Sequence, residues 1–136
     1  MIKVLYGEKG TGKTKALIEA ANNLAAEGSG DVVFIDCQNR SMYDLKHKIR
    51  FINASDFPVC GPREFLGFLC GIISQDYDIE GIFIDGLTYI VKQDADRLES
   101  LFEGFGLLAG KYGVSFYISV NGKAGEAPDF IKEYMV

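Results

Sequence analysis

The feature that most constrains this sequence is a glycine-rich segment near its start, here called the glycine loop: Gly7, Glu8, Lys9, Gly10, Thr11, Gly12, Lys13 and Thr14. An apolar, strand-like stretch (residues 2–6) runs directly into it, and apolar residues at helical spacing follow as far as Gly28. Glycine lets main-chain N–H groups approach an anion, and the helix adds the positive end of its dipole. The arrangement therefore predicts an anion-binding site.

The pattern inside the loop, Gly-x4-Gly-Lys-Thr, indicates which anion. Triphosphate oxygens carry several negative charges and need many donors, so the whole loop is predicted to surround them. Lys13 would reach the β- and γ-phosphates, and the Thr14 hydroxyl would bind the accompanying Mg²⁺. Lys9 either faces the phosphates as well or is solvated. The alternative for the segment is a plain glycine turn between a strand and a helix.

An acidic residue farther along the chain fits the same chemistry. Asp85 ends the apolar run Ile82-Phe83-Ile84, and a phosphate loop needs a carboxylate to help hold Mg²⁺, usually at the end of such a strand. We predict Asp85 as the second metal ligand. The alternative is that Asp85 caps the turn that follows it. Residue 86 is glycine, so no glutamate adjoins Asp85 to act as a base.

Strand-like and helix-like stretches alternate along the whole chain. Strands are predicted over residues 2–6, 31–36, 49–54, 81–85 and 114–120. Helices are predicted after the glycine loop, from Ser41, over 61–74, after Asp94 and over 128–135. The helix over 61–74 is apolar almost all round, which predicts deep burial or a partner. The sequence thus predicts one α/β domain over 1–136, a three-layer sandwich with a mainly parallel five-stranded sheet.

Together these residues make the chain resemble the P-loop NTPase superfamily, and within it a shortened RecA-like ATPase core of the RecA, RadA and KaiC type. The resemblance covers most of residues 2–121. The second strand of RecA reads roughly Phe-Ile-Asp-Ala-Glu, and its glutamate polarises the attacking water. Here the segment is Phe34-Ile35-Asp36-Cys37-Gln38. Asp85 matches the Walker B aspartate, and Asn121 lies near the polar residue by which the family senses the γ-phosphate.

The resemblance implies ATP and Mg²⁺ as ligands, with Lys13, Gln38 and Asn121 as catalytic residues. Gln38 stands where the family has its glutamate, and an amide orients a water without accepting its proton. We therefore expect slow hydrolysis by the isolated chain, unless Asp36 or Asp44 substitutes as the base. The preference for ATP over GTP also rests on the resemblance.

Partners are constrained mainly by charge. The formal net charge is −5, and the family's DNA-contacting loops correspond here to residues 86–93 and 122–128, which are short and not basic. Nucleic acid is therefore not an expected partner. RecA-like enzymes often complete their site with a basic finger from a neighbouring subunit, and the candidates here are Arg40, Arg50 and Arg63. A homo-oligomer or a protein partner stays open.

The remaining features suggest an ordinary reduced protein. The three cysteines form no CxxC pair and are predicted to be small core residues, while His47 lies between two lysines and is predicted at the surface. No leader precedes the first strand, and no apolar run approaches the roughly 20 residues of a membrane span, which together predict a cytoplasmic protein.

The expected function is ATP·Mg²⁺ binding with weak or partner-dependent hydrolysis. Two alternatives remain, a small-molecule kinase and a regulatory or adaptor module that binds nucleotide without turnover. The kinase is the weaker of the two, because no arginine-rich lid segment is recognisable in the sequence.

Overall fold

Strands and helices alternate along the chain in the computed structural model, which describes residues 1–136. The strands are β1 (Ile2–Gly7), β2 (Asp31–Asp36), β3 (Arg50–Asn53), β4 (Ile79–Ile84) and β5 (Ser115–Asn121). The helices are α1 (Lys13–Glu27), α2 (Pro62–Ser74), α3 (Leu87–Val91), α4 (Glu99–Tyr112) and α5 (Asp129–Lys132). Short 3₁₀ turns occupy Arg40–Asp44, Ala54–Asp56 and Ala95–Arg97.

All five strands are parallel, in the order β1-β5-β4-β2-β3 across the sheet. The predicted α/β architecture with a five-stranded sheet is confirmed, and the sheet is parallel throughout. The last strand in sequence, β5, lies between β1 and β4, so that Asn121 pairs with Gly7 and Ile118 pairs with Ile84. The carboxyl ends of β1, β5, β4 and β2 consequently lie side by side along one edge.

Helices cover both faces of the sheet. On one face α1 is the main cover, and its Leu17 belongs to the same apolar cluster as Phe34 of β2. On the other face α2 and α4 pack against each other, joined by α3 and α5, in a larger cluster that includes Ile35. Phe34 and its neighbour Ile35 thus face opposite layers, as the two-residue period of a strand requires. Both faces are covered, which explains the continuous apolar strands.

One segment expected to be a loop contains a helix. Residues 86–93 include α3, in which Leu87, Ile90 and Val91 are all buried. These residues stand at the i, i+3 and i+4 spacing of a single helical face. Gly86 precedes them with a φ of 73°, a left-handed conformation that turns the chain sharply out of β4.

Other predicted boundaries are shifted. β3 spans Arg50–Asn53 instead of 49–54. The helix expected after Asp94 begins only at Glu99, because Asp94 makes no side-chain capping bond and opens a short 3₁₀ turn instead. Ser41 lies in a 3₁₀ turn, and its hydroxyl donates to Asp36 (3.4 Å) rather than capping a helix.

The final residues close one edge of the sheet. After the short helix α5, the main chain runs beside β1, where the Val4 N–H donates to the Tyr134 carbonyl (2.9 Å) and the Val136 N–H donates to the Val4 carbonyl (3.1 Å). These bonds pair groups that an edge strand would otherwise leave free. None of the helices combines the length and apolar character needed to cross a lipid bilayer.

Burial departs from expectation in α2 and at the cysteines. Phe65 and Leu69 are fully buried, but Cys70 on the opposite side of α2 is exposed, so the helix has one open face. Cys60 is also exposed and Cys37 is half-buried. The prediction that the cysteines are core residues is therefore wrong for Cys60 and Cys70. His47 is exposed, as predicted.

Glycines in α4 provide a matched test of packing. A Cβ added to Gly104 would lie 2.7 Å from Leu66 Cδ1 of α2, whereas Gly106 faces open space. We expect Gly104→Ala to lower the free energy of unfolding by about 1–3 kcal/mol, because overpacking outweighs the gain in helix propensity. Gly106→Ala is expected to raise it by about 0.5–1 kcal/mol. Urea denaturation measures both, and equal stabilities would contradict the close α2–α4 contact.

Candidate functional site

A cavity of about 410 Å³ lies at the carboxyl edge of the sheet. Four segments line it: the glycine loop with the start of α1, the residues after β2, the end of β4 with α3, and the end of β5. We call it the first cavity. The predicted catalytic and metal-binding residues all line it, namely Lys13, Thr14, Gln38, Asp85 and Asn121.

Main-chain donors of the glycine loop point to no acceptor within the protein. The N–H groups of residues 8–15, eight in succession, make no hydrogen bond to another main-chain or side-chain group. Gly10 and Gly12 have φ values of 85° and 83°, in the left-handed region that disfavours side chains. A Cβ on Gly7 would lie 3.2 Å from Thr11 Oγ1, so the turn is also tight there. The loop therefore has many donors available to an anion.

The Lys13 side chain lies against this loop. Its Nζ donates to the Glu8 carbonyl at 2.7 Å and lies 3.3 Å from Thr11 Oγ1. Burial lowers the pKa of Lys13 from its ordinary value, while the charge of Asp85 acts in the opposite direction. The ammonium group thus stands among the free N–H groups and within the electrostatic reach of Asp85.

Asp85 accepts hydrogen bonds from two different segments of the chain. It is only 6% exposed, and its Oδ2 accepts a hydrogen bond from Thr14 Oγ1 at 2.8 Å. Its Oδ1 accepts from Ser119 Oγ at 2.6 Å, and Ser119 Oγ in turn accepts from the Gly86 N–H at 2.7 Å. The N–H of the following turn is therefore bound by Ser119, and Asp85 does not cap that turn.

Thr14 and Asp85 fit the requirements of Mg²⁺. A hydroxyl and a carboxylate oxygen are hard ligands, and Mg²⁺ in phosphate sites takes one or two carboxylates, with phosphate oxygens and water completing its shell. No group of three histidine, cysteine, aspartate or glutamate side chains is gathered for a metal elsewhere in residues 1–136. A hydroxyl and a carboxylate at one place would suit a metal whose remaining ligands are phosphate oxygens and water.

Comparison of the chain with known protein families and with curated protein sequences gives no match. The site must accordingly be interpreted from its own residues.

Asp36 is a second buried carboxylate in the first cavity. It is 3% exposed, and it accepts from the Cys37 N–H at 2.6 Å and from Ser41 Oγ at 3.4 Å. Burial raises the pKa of Asp36, the Cys37 N–H counteracts this, and the charge of Asp85 adds to the rise. Asp44, the other carboxylate considered as a base, does not line this cavity. Gln38 lines it with an exposed side chain.

The first cavity has a positively charged lining, although the chain as a whole is negatively charged. Four cationic side chains, Lys9, Lys13, Lys15 and Arg40, face two carboxylates. The local formal charge is therefore +4 − 2 = +2, against −5 for the whole chain. Such a concentration of positive charge favours a polyanionic ligand.

Of the three arginines considered as fingers, only Arg40 lines the first cavity, and it does so from the same chain. Arg50 lies 4.0 Å from Asp76, and neither Arg50 nor Arg63 reaches the cavity. The residue before Arg40 makes a side-chain hydrogen bond, in which Asn39 Oδ1 accepts from Asn53 Nδ2 at 3.0 Å. The segment that carries Arg40 is thereby linked to the carboxyl end of β3.

Sequence reasoning missed Ser119 and left open which of the three arginines would reach the site. Ser119 is 1% exposed, and a signal existed: it is a small hydroxyl residue between the apolar Ile118 and Val120, near the carboxyl end of β5. Arg40 carried no such signal, since spacing along the chain does not show which cavity a loop residue faces. The side chains of Glu8 and Thr11 do not line the cavity, although their N–H groups belong to the free run.

Proposed function

We propose that this chain binds a nucleoside triphosphate with Mg²⁺ in the first cavity, as a P-loop protein of the RecA-like type. The observation that carries the proposal is the run of eight main-chain N–H groups without a protein acceptor, beside the ammonium group of Lys13. A helix N-terminus and a run of amides suit phosphate oxygens, and the local positive charge suits several of them at once.

Mg²⁺ would be held by the Thr14 hydroxyl and the Asp85 carboxylate. These side chains already lie in contact at 2.8 Å, and Ser119 keeps the carboxylate oriented. When bound, the metal neutralises charge on the phosphates. Three side chains have separate roles: Lys13 binds phosphate oxygens, Asp85 positions the metal, and Arg40 adds a cation from the same chain.

Hydrolysis is proposed to be slow. Gln38 orients a water molecule but does not accept its proton, and Asn121 would bind the terminal phosphate from the end of β5. The sheet order supports the role of Asn121, because β5 lies between the strand that ends in the glycine loop and the strand that precedes Asp85. A regulatory module without turnover would use the same binding residues and differ only in its rate.

A small-molecule kinase is the second candidate, and one observation favours it. Another cavity adjoins the first on the side away from the glycine loop and would offer room for a second small molecule. ATP is the proposed nucleotide in either case, on the strength of the resemblance.

Isothermal titration calorimetry with ATP tests the proposal. We expect saturable binding in the presence of Mg²⁺ and much weaker binding in EDTA, because a metal held by Thr14 and Asp85 would neutralise phosphate charge that the Asp85 carboxylate otherwise repels. GTP in the same assay reports the base preference. Absence of binding by either nucleotide, with the protein still folded, would contradict the proposal.

A further inference from the structure

A second cavity of about 450 Å³ lies beside the first, at the carboxyl ends of β2 and β3. Open α/β sheets bind their ligands at the carboxyl ends of the strands. The segment after β3 forms most of its wall, and Cys37 after β2, Glu64 of α2 and the region of α3 complete it. Its volume lies within the range of small-molecule sites.

The two cavities share a wall made of Cys37 and Tyr89. Cys37 follows Asp36, and Tyr89 stands in the helix that follows Asp85. No residue of the glycine loop lines the second cavity. A molecule in it would therefore lie beside the first cavity, on the side away from the glycine loop.

The lining of the second cavity is mostly apolar, with few polar groups. Phe57, Pro58, Val59 and Ile90 supply apolar surface, and Phe57 is 50% exposed. Small-molecule sites are typically built in this way, with a few polar groups that orient the ligand. The apolar part of a ligand would cover these side chains.

One carboxylate and one ammonium group line this cavity, and only the carboxylate has a favourable polar contact within the protein. Glu64 Oε1 accepts from the Cys60 N–H at 2.7 Å, and Glu64 stands in the first turn of α2, where the helix dipole favours a negative charge. Lys92 has no carboxylate within 4.0 Å. The charge left to a ligand is therefore the ammonium group of Lys92.

The backbone of Lys92 is also unusual. Its φ is 56°, and it is the one residue other than glycine with a positive φ in the chain. Glycine is the residue that ends a helix in this conformation most readily, and a side chain there costs free energy. The conformation places a lysine at the end of α3, on the wall of the second cavity.

We infer that the second cavity binds a small carboxylic acid with an apolar body. Its carboxylate pairs with Lys92, and its body covers Phe57, Val59 and Ile90. The position of this ligand beside a terminal phosphate rests on the proposed function, but its binding does not.

The test uses 3-phenylpropionate as the probe and its neutral analogue 3-phenylpropanol as the control, with NMR or calorimetric titration of the whole chain. We expect the acid to bind with a Kd of about 1 mM or tighter, and the alcohol about tenfold more weakly. Equal affinities for the two probes, or no saturable binding of the acid, would overturn the inference.

Lys92→Gly separates loss of binding from loss of folding. Glycine suits the left-handed position, so its Tm should equal or exceed that of the wild type, while acid binding weakens about 10- to 100-fold. Lys92→Arg should keep most of the affinity. Unchanged acid binding by Lys92→Gly would remove the proposed contact.

The same titration distinguishes this inference from the proposed function. Lys13→Ala should bind 3-phenylpropionate as the wild type does, because Lys13 does not line the second cavity. A chain that binds ATP·Mg²⁺ but not the acid refutes only the second site. A chain that binds the acid but no nucleotide refutes only the proposed function.

Discussion

Lys13→Ala is expected to remove most of the thermal stabilisation that ATP·Mg²⁺ gives to the wild-type chain. A ligand at about 100 times its Kd adds about 2.7 kcal/mol to the free energy of unfolding. The Lys13 ammonium group lies against the loop that carries the free N–H groups, with its Nζ 2.7 Å from the Glu8 carbonyl. Loss of a charged contact of this kind weakens binding by about 100-fold, which cancels nearly the whole shift.

The matched control for this variant is Lys48→Ala. Lys48 carries the same charge, is exposed and does not line the first cavity, so the ATP·Mg²⁺ shift should match that of the wild type. Without nucleotide, Lys13→Ala should melt close to the wild-type Tm, because the side chain is only half-buried. Differential scanning fluorimetry measures all three proteins. A full shift in Lys13→Ala would refute the role of this lysine.

Gln38→Glu is expected to raise the rate of phosphate release by about 100-fold, the lower range for a positioned general base. Gln38 lines the first cavity within the same short segment as the buried Asp36, and a carboxylate there can accept the proton of the attacking water. A colorimetric phosphate assay with ATP·Mg²⁺ measures the change.

Asn39→Asp is the control for Gln38→Glu. It adds the same negative charge one residue away, outside the cavity lining, and its Oδ1 can still accept from Asn53 Nδ2. Its rate should stay at the wild-type value.

Because Arg40 belongs to the same chain as the glycine loop, the rate of Gln38→Glu per chain should not depend on protein concentration. An unchanged rate in Gln38→Glu would show that Gln38 does not occupy the position of the base.

The architecture of the fold was largely predictable, because it depends on local patterns. Continuous apolar runs separated by helical stretches indicate buried parallel strands, and the observed sheet has five of them. Short elements were predicted less well. The single turn of α3 carries only Leu87, Ile90 and Val91 as its apolar face, and a glycine before it resembles a loop signal. The start of α4 was misplaced because Asp94 looks like a cap and makes no capping bond.

The local chemistry of the glycine loop could be read from the sequence, because that chemistry depends on neighbouring residues. Gly10 and Gly12 permit the left-handed turns, and Lys13 and Thr14 follow directly at the start of α1. The sequence also indicated Asp85 as a partner, since it ends a buried run.

Which distant residues meet the loop depends on how the whole chain folds. The order of the strands places β5 between β1 and β4, which brings Ser119 to Asp85 and Asn121 beside Gly7. The packing of loops above the sheet brings Arg40 into the first cavity and forms the second one. Strand order and loop packing depend on how the whole chain buries its apolar surface. The spacing of residues along the sequence therefore does not reveal them.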